Sequence, residues 1–202
     1  MATPAPPAPL EAHDPDRARA LKAKIRDRVS DVRRHLVALR TAMAEFGEDF
    51  DLDAFQAASA TDDAARLNQV KAVERGVDQL YNYVVELTAF GLELAEVRRR
   101  GDELNARRDL ATLSRLGVLG SEQGRRLERL RELRRLLVHE YATATAEQVH
   151  EAARIVADEF VPFYDAYRRW IAQGFRGVPP SRCRRPCASI GRTAAMPTSP
   201  TA

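Results

Sequence analysis

The sequence predicts an all-α fold, an antiparallel bundle of about four to five helices, on three observations. Apolar residues recur at alternating spacings of three and four over long stretches. No segment of useful length alternates with period two, which argues against a sheet. Apolar residues make up 45% of the 202 residues and charged residues 30%, the balance of amphipathic helices with one solvated face.

The first helix carries Leu21, Ile25, Val29, Val32, Leu36, Leu39, Met43 and Phe46 on one face and is expected to end near Gly47. A short segment with Leu52 and Phe55 follows. Thr61 or Asp62 can then cap a second long helix whose stripe is Val70, Val73, Val77, Leu80, Val84, Leu87 and Leu94. Gly101 marks the end of this helix or the loop just after it. Leu110, Leu113 and Leu116 suggest a third, shorter helix closed by Gly117. Ser121 with Glu122 offers a cap for a fourth, carrying Leu127, Leu130, Leu133 and Leu137. Thr145 opens the fifth, through Val149, Ala152, Val156, Phe160, Phe163 and Tyr167 towards Trp170, with Pro162 expected to kink it.

The ends read differently. Residues 1–16 are rich in Pro and Ala and cannot bury enough surface to offset the entropy of ordering, so they are expected to be disordered. Residues 178–202, with Pro179, Pro180, Pro186, Pro197 and Pro200, are expected to form a disordered tail, leaving 17–177 as one helical domain. Cys183 and Cys187 lie in that tail, where a disulfide staples nothing and two thiolates cannot complete a zinc site.

A formal charge of +3, from 32 basic and 29 acidic residues, permits an anionic partner without requiring one. Only Lys22, Lys24 and Lys71 are lysines. The arginine excess suits bidentate phosphate binding, and a GC-rich coding bias accounts for it equally well. The stretch Met1 to Ala20 has no apolar run of the length a secretory signal needs, and no segment approaches the roughly 20 apolar residues of a membrane span, so a soluble, cytoplasmic protein is expected. The four histidines, at 13, 35, 139 and 150, form no i, i+4 pair with carboxylates. No catalytic metal and no cofactor are therefore expected, and P-loop, Rossmann and nucleophile-elbow motifs are absent.

The chemistry concentrates at Arg134-Arg135-Leu136-Leu137-Val138-His139-Glu140-Tyr141. At about 100° per residue the four leucines of the fourth helix share one side, Arg134 and Tyr141 flank it, and His139 points nearly opposite. Leu136 and Val138 lie off the stripe, so the helix becomes apolar all round at its C-terminal end and a second surface should pack there, most economically a second copy of the chain. An imidazole titrating near neutrality beside arginines that hold phosphate is a minimal apparatus for metal-independent RNA cleavage. Arg134 and His139 are about 140° apart on a regular helix, so two chains meeting here would assemble the site better than one. The same residues also describe a solvated helix C-terminus whose positive charge favours the dipole.

The spacing of an arginine, four residues, a histidine, one residue and a tyrosine resembles the signature of HEPN domains, in particular the HepT-like toxins. The surroundings are similar too: Ala72-Val73-Glu74-Arg75 near the start of the second long helix, and Gly117-Val118-Leu119 before the motif helix, so that the resemblance spans roughly residues 17 to 173. It implies a homodimeric endoribonuclease toxin acting on tRNA or mRNA, with Arg134 and His139 as the catalytic pair at a dimer cleft. It also implies a nucleotidyltransferase antitoxin that attaches AMP to Tyr141 and so blocks the cleft by charge and volume. Arg135 departs from the pattern, since a small polar residue is usual there, and is a candidate phosphate contact. The family also includes non-catalytic binding partners of nucleotidyltransferases, which is the alternative function.

Overall fold

The computed structural model describes residues 9–99, 101–139 and 144–175. Among these residues there is no strand, and six α-helices form the expected bundle: α1 (Pro15–Ala44), α2 (Leu52–Ser59), α3 (Ala64–Leu94), α4 (Ala106–Arg115), α5 (Ser121–His139) and α6 (Ala146–Ala172). The helix beyond the five expected from periodicity is α2, eight residues long. Asp51 caps it by accepting from the Ala54 amide at 2.7 Å, and Phe55 is fully buried among Phe46 and Phe50 in edge-to-face contacts. Two turns are too short to show a period, which is why spacing does not reveal this helix.

α3 is the centre, in contact with every other helix of the bundle. Ion pairs and packing contacts set the directions. Arg17 meets Glu93, Arg28 meets Glu86 and Leu39 lies against Gly76, so α1 and α3 run antiparallel. Gln123 meets Glu159, Arg126 meets Asp158 and Arg129 meets Glu151, so α5 and α6 are antiparallel as well. α3 and α6 run parallel, because Gly91 near the end of one faces Tyr167 and Trp170 near the end of the other. A Cβ at Gly91 would fall 2.6 Å from the Tyr167 ring and 2.9 Å from the Trp170 ring, so this close approach requires glycine.

The predicted stripes are the core. All seven apolar residues of the α3 stripe are buried, as are Leu127, Leu130, Leu133 and Leu137 of α5 and Val149, Ala152, Val156, Phe160, Phe163, Tyr167 and Trp170 of α6. Pro162 lies inside α6, and the helix continues on both sides of it. The Thr145 cap also holds, as a full capping box in which the hydroxyl accepts from the Gln148 amide and the Gln148 side chain accepts from the Thr145 amide at 3.0 Å. Thr145→Ala is expected to cost about 1 kcal/mol of stability, read as a lower urea midpoint at unchanged m-value.

α3 stops at Leu94 and Gly101 lies in the loop that follows, one of the two placements expected for it. Glu96 takes the left-handed conformation (φ 58°) and Val97 donates to the Leu92 carbonyl at 2.9 Å, closing a Schellman turn without glycine. Helix starts depart from the sequence reading in two places. The cap of α3 is Asp63, which accepts from the Ala65 amide at 2.8 Å, and neither Thr61 nor Asp62. α5 begins with Ser121 as its first helical residue, the Gly120 carbonyl accepting from the Gly124 amide. Gly117, at φ 72°, does close α4 as expected.

The expected disordered segment 1–16 needs correction over residues 9–16. Leu10–Ala12 form a 3-10 turn, and Asp14 caps α1 with Pro15 in its first turn. Leu10 is buried with Ala18, Leu21 and Leu94, an anchor that the Pro/Ala composition of the segment hides. Residues 1–8 and the tail 178–202, with Cys183 and Cys187, lie outside the described residues. No helix among the described residues is long and apolar enough to cross a membrane.

Candidate functional site

The motif helix α5 packs its leucine stripe against the core and thereby turns Arg131, Arg134 and Arg135 towards the flank of α3. Arg134 meets two α3 residues one turn apart. Its Nε donates to Asp78 Oδ1 at 2.8 Å and its Nη2 donates to Asn82 Oδ1 at 3.3 Å, while Asn82 Nδ2 donates to Asp78 Oδ2 at 3.3 Å. The three side chains close a ring that holds the guanidinium in one orientation. The pair is not sealed from solvent, since the Arg134 side chain is 27% exposed and that of Asp78 40%.

The Arg134 guanidinium carbon also lies 5.6 Å from the centre of the Tyr81 ring, a cation–π contact. Burial pushes the Tyr81 hydroxyl up to about 12, with Arg131 and Arg134 opposing the rise, so this phenol stays neutral near physiological pH. Arg131 is held by Glu128 at 2.8 Å, and that hydrogen bond raises its pKa further above the ordinary arginine value. Together Arg107, Arg131, Arg134 and Arg135 line an open groove of about 380 Å³ whose other walls include Tyr81, Asn82 and Asn105. A second groove of about 360 Å³, lined by Lys71, Glu74, Arg75, Asp78, Leu137 and Val138, opens on the other side of the Arg134–Asp78 pair.

Of the predicted site residues, Arg134 and Arg135 therefore come together at one groove. His139 is the last residue of α5, on the same helix as Arg134 and about 140° further round. Its side chain and the whole of Tyr141 lie outside the described residues. The apolar overflow at the C-terminal end of α5 is present: Val138 is 43% exposed and Leu136 half-buried.

The other three histidines are engaged in structure. His13 pairs with Glu96 at 3.0 Å, His35 Nδ1 lies 2.9 Å from the Asp31 carbonyl, and His150 stacks on Phe50 with Nε2 2.7 Å from its carbonyl oxygen. Among the described residues no three His, Cys, Asp or Glu side chains are grouped to hold a metal ion. Asp78, Asn82 and Tyr81 escape sequence reasoning. Their i, i+4 and i, i+3 spacing places them on the edge of the α3 stripe, but nothing local says that an arginine more than fifty residues later docks there. The chain matches no protein-family model, no curated protein and no solved structure.

Proposed function

We propose that this chain is a metal-independent endoribonuclease toxin, in which Arg134 and His139 act at an interface between two copies of the chain. In this reading a nucleotidyltransferase antitoxin neutralises it by attaching AMP to Tyr141. The observation that carries the reading is the placement of Arg134 at the rim of an arginine-lined groove, on the helix that ends in His139.

In the reaction the ribose 2′-oxygen attacks the adjacent phosphorus and the bond to the 5′-oxygen breaks, leaving a 2′,3′-cyclic phosphate and a 5′-hydroxyl. His139 assists the proton's departure from the 2′-hydroxyl or its delivery to the leaving oxygen. Arg134 stabilises the negative charge that builds on the phosphate oxygens, and Arg135 adds a phosphate contact. The 140° between Arg134 and His139 on one regular helix supports a site shared by two copies, with the exposed Val138 as part of the surface they cover.

The test is incubation of partner-free protein with total RNA in chelator, beside His139→Ala. Fragments ending in cyclic phosphate from the wild type alone are expected, with both proteins folded by circular dichroism. The Arg134–Asp78 ion pair favours a second reading, a helical partner that binds a nucleotidyltransferase without cutting RNA, because a carboxylate already occupies the arginine. Intact RNA with both proteins, each still binding the partner, would establish that reading instead.

A further inference from the structure

The grooves on either side of the Arg134–Asp78 pair follow one another along the same edge of α3. Lys71, Arg75 and Asp78 border the first, and Tyr81, Asn82 and Val85 border the second. At 1.5 Å per residue, the helix from Lys71 to Val85 runs about 21 Å. Among the described residues six cations flank this line, Lys71 and Arg75 at one end, Arg134 and Arg135 in the middle, Arg131 and Arg107 at the other. Among the described residues the carboxylates beside them include Glu74, Asp78, Glu128 and Glu132, fewer than the six cations. Each groove is at the lower end of small-ligand pocket sizes, about 300 to 1,000 Å³, so a single nucleotide suits it better than a duplex.

We propose that this α3/α5 edge is a track for the phosphates of single-stranded RNA, and that the Asp78 carboxylate holds Arg134 in the place from which a substrate phosphate displaces it. The proposal deepens the ribonuclease reading and rests on it for the choice of RNA. Asp78 and Asn82 together present to Arg134 what a phosphate would present, two acceptor oxygens, Asp78 Oδ1 on Nε and Asn82 Oδ1 on Nη2, while Asn82 Nδ2 donates to the other Asp78 oxygen. The guanidinium is therefore already oriented for a bidentate anion, and because the pair is partly exposed an incoming phosphate can compete for it. The ends of the track carry exposed cations, Arg75 and Arg107, that can grip the strand on either side of the reacting phosphate.

The test uses the full chain and a labelled 2′-O-methyl oligoribonucleotide of about ten residues, which binds as RNA does but cannot be cleaved through its 2′-oxygen. Binding is measured over a salt series, with folding checked by circular dichroism. Arg75→Glu and Arg107→Glu are each expected to weaken binding about tenfold and to flatten the slope of log K against log salt by about 0.7 for each phosphate that the variant no longer neutralises. Asp78→Asn is expected to tighten binding several-fold, and by more than Glu74→Gln, which removes the same charge from the same groove without releasing Arg134. Equal affinity in all four variants, equal displacement by polyglutamate of matched charge, or preference for a duplex would each overturn the proposal. The variant pattern without cleavage of unmodified RNA keeps the track and removes the ribonuclease reading; cleavage with affinity indifferent to the variants does the reverse.

Discussion

Arg134→Lys is expected to lower RNA cleavage by two to three powers of ten while leaving the fold in place. Arg134 uses two separate nitrogens of one plane, Nε towards Asp78 and Nη2 towards Asn82, and a lysine ammonium offers only a point charge in that position. If the same plane meets the charged phosphate in the transition state, its loss resembles removal of a preorganised oxyanion donor, which costs about 10²–10³ in rate. Stability should barely change, because the ion pair is partly exposed and such pairs contribute about 0–1 kcal/mol. The informative measurement is single-turnover cleavage beside thermal unfolding of the same sample. Full activity in the lysine variant would show that charge alone is required, and full activity in Arg134→Ala would remove Arg134 from the site. Arg135→Ala, by contrast, is expected to raise the apparent KM a few-fold with little effect on kcat, as befits a residue that contacts phosphate equally in ground and transition states.

Trp170→Ala is expected to be the most damaging substitution for the fold itself. Trp170 is completely buried, lies 6.1 Å from Tyr167 and 5.2 Å from Phe175 between ring centres, and packs over Gly91 of α3. Removing the indole leaves a cavity between the two parallel helices that its buried neighbour Tyr167 cannot readily fill. Large-to-alanine changes of this kind cost about 3–5 kcal/mol, a large part of the roughly 5–15 kcal/mol that holds a domain folded. Urea unfolding should show a much lower midpoint, and an unchanged midpoint would mean that the α3–α6 interface contributes little. Phe175, beyond the end of α6, should lose its protection together with Trp170, because the two rings meet edge to face.

The amino-acid sequence by itself determined the class of fold, its long helices and the faces they bury. The physical reason is that a 3.6-residue period must place its apolar stripe inward: the stripes of α3, α5 and α6 are buried residue by residue as their spacing requires. It also singled out Arg134, by its spacing from His139 and Tyr141. Helix ends were less legible where the chain chose against local preference. Glu96 adopts a left-handed conformation and closes α3 where no glycine marks the end, which its residue type gives no reason to expect. Leu10 is ordered by distant partners, Leu21 and Leu94, that composition cannot anticipate. Only the tertiary structure decided what Arg134 faces. Asp78, Asn82 and Tyr81 become its partners because α3 and α5 run antiparallel side by side, and the register of two helices separated by a turn and α4 is set by the packing of their whole stripes, of which the motif supplies only Leu137.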